Sequence, residues 1–210
     1  KKMNKKNIHL LTQAAMIAAL YVVLTFVANA FGLANYAVQV RFSEALTILP
    51  LFTPAGIPGL FIGCLISNIL TGCALPDIIF GSIATLIGAL GTWKLRNICS
   101  PFPDKNEKNA SQGRASHVPS TGEAFSRKAS PRTTFQRNVV RRNVFLAPLP
   151  PILANTIIVP FVLRYAYDIR PLWLSFLTVG AGEIISCGIL GLLLACTLNK
   201  YRSQIFREDF

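Results

Sequence analysis

Six residues carry most of the chemistry that this sequence can offer: Arg41, Glu44, Asn68, Asp77, Asn155 and Glu183. Four of them fall in the run QVRFSEALTILPLFTPAGIPGLFIGCLISNILTGCALPDIIFGSIAT, residues 39 to 85, which is otherwise apolar enough for a bilayer. A charge in hydrocarbon costs ~3 kcal/mol on insertion scales, so intramembrane ionisable residues usually face a cavity or a partner and mark function. Arg41 and Glu44, three residues apart, also suit an i,i+3 ion pair at the membrane surface. That structural reading leaves Asn68 and Asp77 unaccounted for.

The elements that must position these residues follow from composition. Of 210 residues, 52% are hydrophobic and 14% charged, too apolar for an ordinary soluble domain. Several windows approach the ~20 apolar residues that cross a bilayer. The expected class is all-α: a polytopic membrane protein with six transmembrane helices. Helix 1 covers about His9 to Ala30. Helix 2 starts near Phe42 and ends before TPAGIPG, short enough to be tilted or to sit partly within the protein. Helix 3 covers Leu60 to Leu70, with Gly59, Gly63 and Ser67 as a small-residue packing ridge. Helix 4 starts at Pro76 and Asp77, a good helix start, and places Asp77, Gly81, Thr85 and Gly88 on one interior face. Helix 5 starts near Val144 and contains Pro160. Helix 6 runs from about Leu172 to Leu198. Asn155 and Glu183 then lie at mid-depth on neighbouring antiparallel helices.

Charge sets the orientation. Eighteen of the 21 Lys and Arg precede helix 1, lie between Lys94 and Arg142, or follow helix 6. The positive-inside rule places all three segments in the cytoplasm, which agrees with six helices and both termini on one side. The same rule explains the net charge of +12 without a nucleic-acid partner. Arg41, Glu44, Asn68 and Asp77 then stand at the outer face, above Asn155 and Glu183. The set outlines a pocket reached from outside. Residues 1–98 thus hold helices 1–4 and the site. Residues 99–142, rich in Ser, Arg, Asn and Pro, form a basic cytoplasmic loop that cannot bury enough surface to order itself, with His117 given no specific role. Residues 143–210 hold helices 5 and 6 and a tail. The apolar stretch Ile8–Val27 is longer than a signal-peptide core of about 7–15 residues, so helix 1 is expected to be retained.

Several functions lack their signatures. There is no HExxH, GxSxG, Walker A loop or paired histidine, so neither an enzyme nor a cofactor site is indicated. The five cysteines show no metal-ligand spacing, and no structural metal or essential disulfide is expected. A transporter of this composition would need ion coupling or an ATPase partner. Helix 1 carries two stripes of small residues, Ala14 with Ala18 and Ala15 with Ala19. Either one suits close helix packing inside the bundle or against another subunit.

The stretches VQVRFSEALTILP, GLFIGCLISNIL, LPDIIFGSIATL and PLPPILANTIIVP resemble the QueT family over roughly residues 10–98 and 145–198. These are substrate-binding S components of energy-coupling-factor (ECF) vitamin transporters. The segment 99–142 departs from the family in its length. The resemblance implies a multi-pass plasma-membrane S component that captures a queuosine precursor, a 7-deazaguanine. It also implies a coupling membrane subunit and two ATPase subunits, with an alanine stripe of helix 1 facing the coupling subunit. The polar residues are compatible with such a ligand. A carboxylate of Glu44, Asp77 or Glu183 can accept adjacent N–H donors, and Asn68 or Asn155 can pair the carbonyl edge. Arg41 can orient Glu44, while Tyr36, Phe42 or Phe80 can stack on the ring, unless they simply pack against lipid or core. The alternatives are an S component for another flat vitamin or base, a membrane enzyme using Glu183 or Asp77, and a scaffold whose polar residues only join helices.

Overall fold

The computed structural model describes residues 5–32, 40–96 and 144–205. Tyr36, His117 and the 99–142 segment lie outside the described residues. All regular structure among the described residues is helical. It comprises α1 (Lys5–Ala30), a 3-10 segment (Phe42–Leu51), α2 (Gly56–Leu70) and α3 (Leu75–Lys94). A short 3-10 turn (Val144–Leu146) leads into α4 (Leu149–Tyr167). The last rod is α5 (Leu172–Glu183), a π-helical stretch (Ile184–Leu190) and α6 (Gly191–Ile205) in succession.

Among the described residues, four stretches are long and apolar enough to cross a membrane: Asn7–Ala30, Leu75–Lys94, Val144–Tyr167 and Leu172–Leu198. The expected helices 2 and 3 are not on that footing. The ten residues of the 3-10 segment rise about 2.0 Å each, or ~20 Å. The fifteen of α2 rise 1.5 Å each, or ~22 Å. Both fall short of a hydrocarbon core of ~30 Å. Pro50 lies inside the 3-10 segment, where it removes a backbone donor. From Ser43 to Leu51 every residue of that segment is buried, so it is a core element enclosed by the others.

Burial is inverted relative to a water-soluble protein. Leu11, Met16, Ile79, Ile157 and Leu193 are exposed. Ser43, Glu44, Thr47, Asn68, Asp77, Asn155 and Glu183 are buried. Apolar side chains gain nothing by avoiding lipid, so close packing and polar pairing must hold the helices together.

Glycines make that packing possible. A Cβ on Gly59 would lie 2.8 Å from the Ala14 carbonyl oxygen, and one on Gly63 would lie 2.8 Å from Tyr21 Cβ and 3.0 Å from Ala18 Cα. The ridge of α2 therefore lies directly on α1, and the Ala14–Ala18 stripe is used up inside the bundle. Of the two stripes expected to suit a contact with another subunit, Ala14–Ala18 is the one buried against α2. Ala15 and Ala19 remain exposed on α1. On the other side of the bundle, Gly88 admits Pro151, whose Cα would stand 2.7 Å from an added Cβ, and Gly91 admits Pro150. Thr92 Oγ1 donates 3.1 Å to the Ala147 carbonyl and closes the same α3–α4 seam.

Candidate functional site

The turn between α2 and α3 does much of the positioning. Gly72 adopts φ +71, a left-handed conformation that glycine takes without strain. The Cys73 N–H reaches the Asn68 carbonyl at 3.0 Å and the Gly72 N–H reaches the Ile69 carbonyl at 3.1 Å. This is the Schellman pattern that ends a helix and turns the chain sharply. Asn68 near the end of α2 and Asp77 in the first turn of α3 are thereby brought to one place. Both side chains border Gly81: a Cβ there would lie 3.3 Å from Asn68 Nδ2 and 3.4 Å from Asp77 Oδ1.

These residues line a partly open cavity of about 450 Å³, within the range of small-ligand sites. Arg41, Ser43, Asn68 and Asp77 supply polar groups, and Tyr21, Phe26 and Tyr167 supply aromatic ones. Arg41 precedes the 3-10 segment in an extended conformation (φ −103, ψ 104). No salt bridge joins Arg41 to Glu44 among the described residues, so the expected surface ion pair is not formed. Arg41 faces the cavity, where no carboxylate among the described residues lies within ion-pair distance of it. Asp77 is 4% exposed, and its Oδ1 has no hydrogen-bond partner among the described residues. Its Oδ2 accepts a long 3.4 Å bond from the Tyr167 hydroxyl, which itself accepts the Ala74 N–H at 2.9 Å. A cation with no salt bridge among the described residues and an under-satisfied carboxylate thus share one cavity.

The other expected residues lie elsewhere. Glu44, Asn155 and Glu183 do not line the cavity; they form a buried layer behind it. Tyr21 joins the two levels, because its ring borders the cavity while its hydroxyl donates 2.6 Å to Glu44 Oε1. Glu44 Oε2 has no partner among the described residues. Asn155 Nδ2 donates 3.0 Å to Glu183 Oε1, so the two mid-depth residues do meet across α4 and α5. Cys187 Sγ donates 3.1 Å to Glu183 Oε2. Ligand atoms of Glu44, Glu183 and Cys187 all lie within 4.8 Å of one another. Cysteine spacing did not suggest this cluster, since its donors come from two separate elements.

Phe80 is half exposed, on the same apolar side of α3 as Ile79 and Ile83, and cannot stack on a ligand in the cavity. Tyr21 and Tyr167 were missed as cavity residues. The sequence did hold a signal for them, since a tyrosine within an apolar helix needs a partner for its hydroxyl. Arg164 and Arg170 both pair with Asp168 at the α4–α5 turn and are not cavity residues.

The chain matches the family model described as QueT transporter over residues 11–200. Over 85 residues it is 34% identical to the queuosine precursor transporter QueT of Lactococcus lactis subsp. cremoris (strain MG1363). That alignment covers 40% of this chain and 50% of the relative, so the matched stretch spans half the relative's length. No solved structure matches the chain.

Proposed function

We propose, from the premise that the chain belongs to the QueT transporter family, that it is the substrate-binding subunit of an ECF-type importer for a 7-deazaguanine queuosine precursor. The observation that carries this reading is the cavity shared by Arg41 and Asp77, with Asn68 from the last turns of α2. A deazaguanine has adjacent N–H donors on one edge and a carbonyl acceptor beside them. Asp77 Oδ1 needs a donor and Arg41 needs an acceptor, so the ligand would supply both. Charge-assisted bonds of this kind are about twice as strong as neutral ones. Tyr21 and Tyr167 would hold the flat ring.

The reading extends to topology. On this reading the protein is a six-helix plasma-membrane protein whose termini and basic 99–142 segment are cytoplasmic, as the positive-inside rule asks of its Lys- and Arg-rich stretches. On the same reading the cavity opens outward, lined mainly from residues 1–98 and completed by Leu163, Tyr167 and Ile169 of the 143–210 part. The exposed Ala15–Ala19 stripe of α1 is the surface offered to a coupling membrane subunit, and two ATPase subunits supply the energy. The test is uptake of a labelled 7-deazaguanine precursor by cells that lack their own importer. Accumulation is expected only when this chain is expressed together with the coupling subunit and both ATPases. Accumulation with this chain alone would overturn the subunit reading.

A further inference from the structure

We propose that Glu44, Glu183 and Cys187 form a binding site for a divalent transition-metal ion of the Zn2+ type, in the layer behind the cavity. Nothing in the substrate reading requires this site. The donor set is two carboxylates and a thiol, each at most 5% exposed, with ligand atoms within 4.8 Å of one another. An ion placed among them needs only small side-chain movements to reach ordinary Zn–O distances of about 2.0–2.2 Å and a Zn–S distance of about 2.3 Å.

Polar satisfaction supplies an independent argument. Glu44 is 1% exposed, and its Oε2 accepts no hydrogen bond from the described residues, although Oε1 is held by Tyr21. A buried carboxylate oxygen left without a partner is costly. Two carboxylates buried side by side also repel each other when both are charged. A bound dication would satisfy the free oxygen and neutralise the pair.

The surrounding groups hold the ligands as outer-sphere partners do in metal sites. The Tyr21 hydroxyl fixes Glu44 and the Asn155 amide fixes Glu183. Cys187 lies four residues after Glu183 in the π-helical stretch, a local widening of the helix found mostly at functional sites. Its Sγ also reaches the Glu44 carbonyl at 3.4 Å and Thr47 Oγ1 at 3.4 Å, so it already sits against the 3-10 segment. The thiolate favours Zn2+ or Co2+ over Mg2+ or Ca2+. Binding would release the thiol proton and any proton on the carboxylates. It would clamp the 3-10 segment to the last helical rod.

The test is a Co2+ titration of the purified full chain in detergent after chelator treatment, read by the sulfur-to-cobalt charge-transfer absorption, with Zn2+ as competitor. The wild type should show the band and lose it to Zn2+. Cys187→Ser should abolish the band, while the exposed Cys196→Ser should leave it intact. Glu183→Gln should keep a folded chain and weaken Co2+ at least ~10-fold, the lower end of what even an outer-sphere change costs. Should Cys187→Ser fail to fold, the Glu183→Gln affinity decides alone. A wild type without the band, or a band and affinity unchanged in Glu183→Gln, would overturn the site. No deazaguanine is present in the titration, so its failure leaves the substrate reading untouched.

Discussion

Tyr21 and Glu44 are joined by a 2.6 Å hydrogen bond that links α1 to the 3-10 segment. The tyrosine is 1% exposed and the glutamate 1% exposed, yet the tyrosine ring borders the cavity. One side chain therefore touches the space where a ligand would lie, the helix that carries both alanine stripes, and the buried acidic layer.

Tyr21→Phe removes the donor and leaves both oxygens of Glu44 without a partner. Loss of a hydrogen bond to a buried acceptor costs about 1–3 kcal/mol. The expected result is a clear fall in the thermal midpoint of the detergent-purified chain. Tyr21→Phe together with Glu44→Gln should not cost the sum of the two single changes, because one removes and the other weakens the same interaction.

Gly88→Ala tests the α3–α4 seam. Its Cβ would stand 2.7 Å from Pro151 Cα, a backbone atom that cannot move aside cheaply. Overpacking of this kind costs about 1–3 kcal/mol. A lowered thermal midpoint is expected, whereas Gly72→Asn, at a turn with nothing within 4 Å of its Cβ, should cost less because asparagine tolerates the left-handed region.

The two alanine stripes of α1 should separate cleanly. Ala18→Leu thrusts a large side chain into the contact with Gly63 and should destabilise the isolated chain. Ala19→Leu lies on the exposed side and should leave isolated stability within about 0.5 kcal/mol. On the proposed assembly, Ala19→Leu should instead reduce co-purification with the coupling subunit. Equal co-purification of Ala19→Leu and wild type would count against that surface.

Asp77→Asn keeps the shape of the site but removes the charge that faces Arg41. It should weaken precursor binding about 10-fold or more, since a hydrogen bond to a charged group contributes about 1.5–3 kcal/mol. Calorimetric titration of the two proteins reads this directly, and unchanged affinity would remove Asp77 from the ligand contacts.

Much of the layout was legible because it rests on local rules. The positions of α1, α3, α4 and the final rod follow from long apolar runs. Pro76 marks the start of α3, and the spacing of Gly59, Gly63 and Ser67 announces a packing ridge. What the ridge packs against was not legible. The Ala14 and Ala15 stripes are equivalent as patterns, and only the contact of Gly59 and Gly63 with α1 chooses between them. The fate of Arg41 and Glu44 was hidden for another reason. Tertiary contacts decide it: Arg41 borders the cavity, while Glu44 is buried under the Tyr21 hydroxyl. The convergence of Asn68 with Asp77 depends on a left-handed Gly72. The meeting of Glu44 with Glu183 and Cys187 depends on tertiary packing across more than a hundred residues of chain.

The most direct measurement is the thermal midpoint of the isolated chain with 7-deazaguanine precursors, guanine, riboflavin, thiamine and biotin. A ligand that binds only the folded state stabilises it by ~4 kcal/mol at a thousandfold excess over Kd. The account predicts a large upward shift with the deazaguanines alone, and a much smaller one in Asp77→Asn. A shift with another vitamin and none with the deazaguanines, or no shift with any of them, would contradict it.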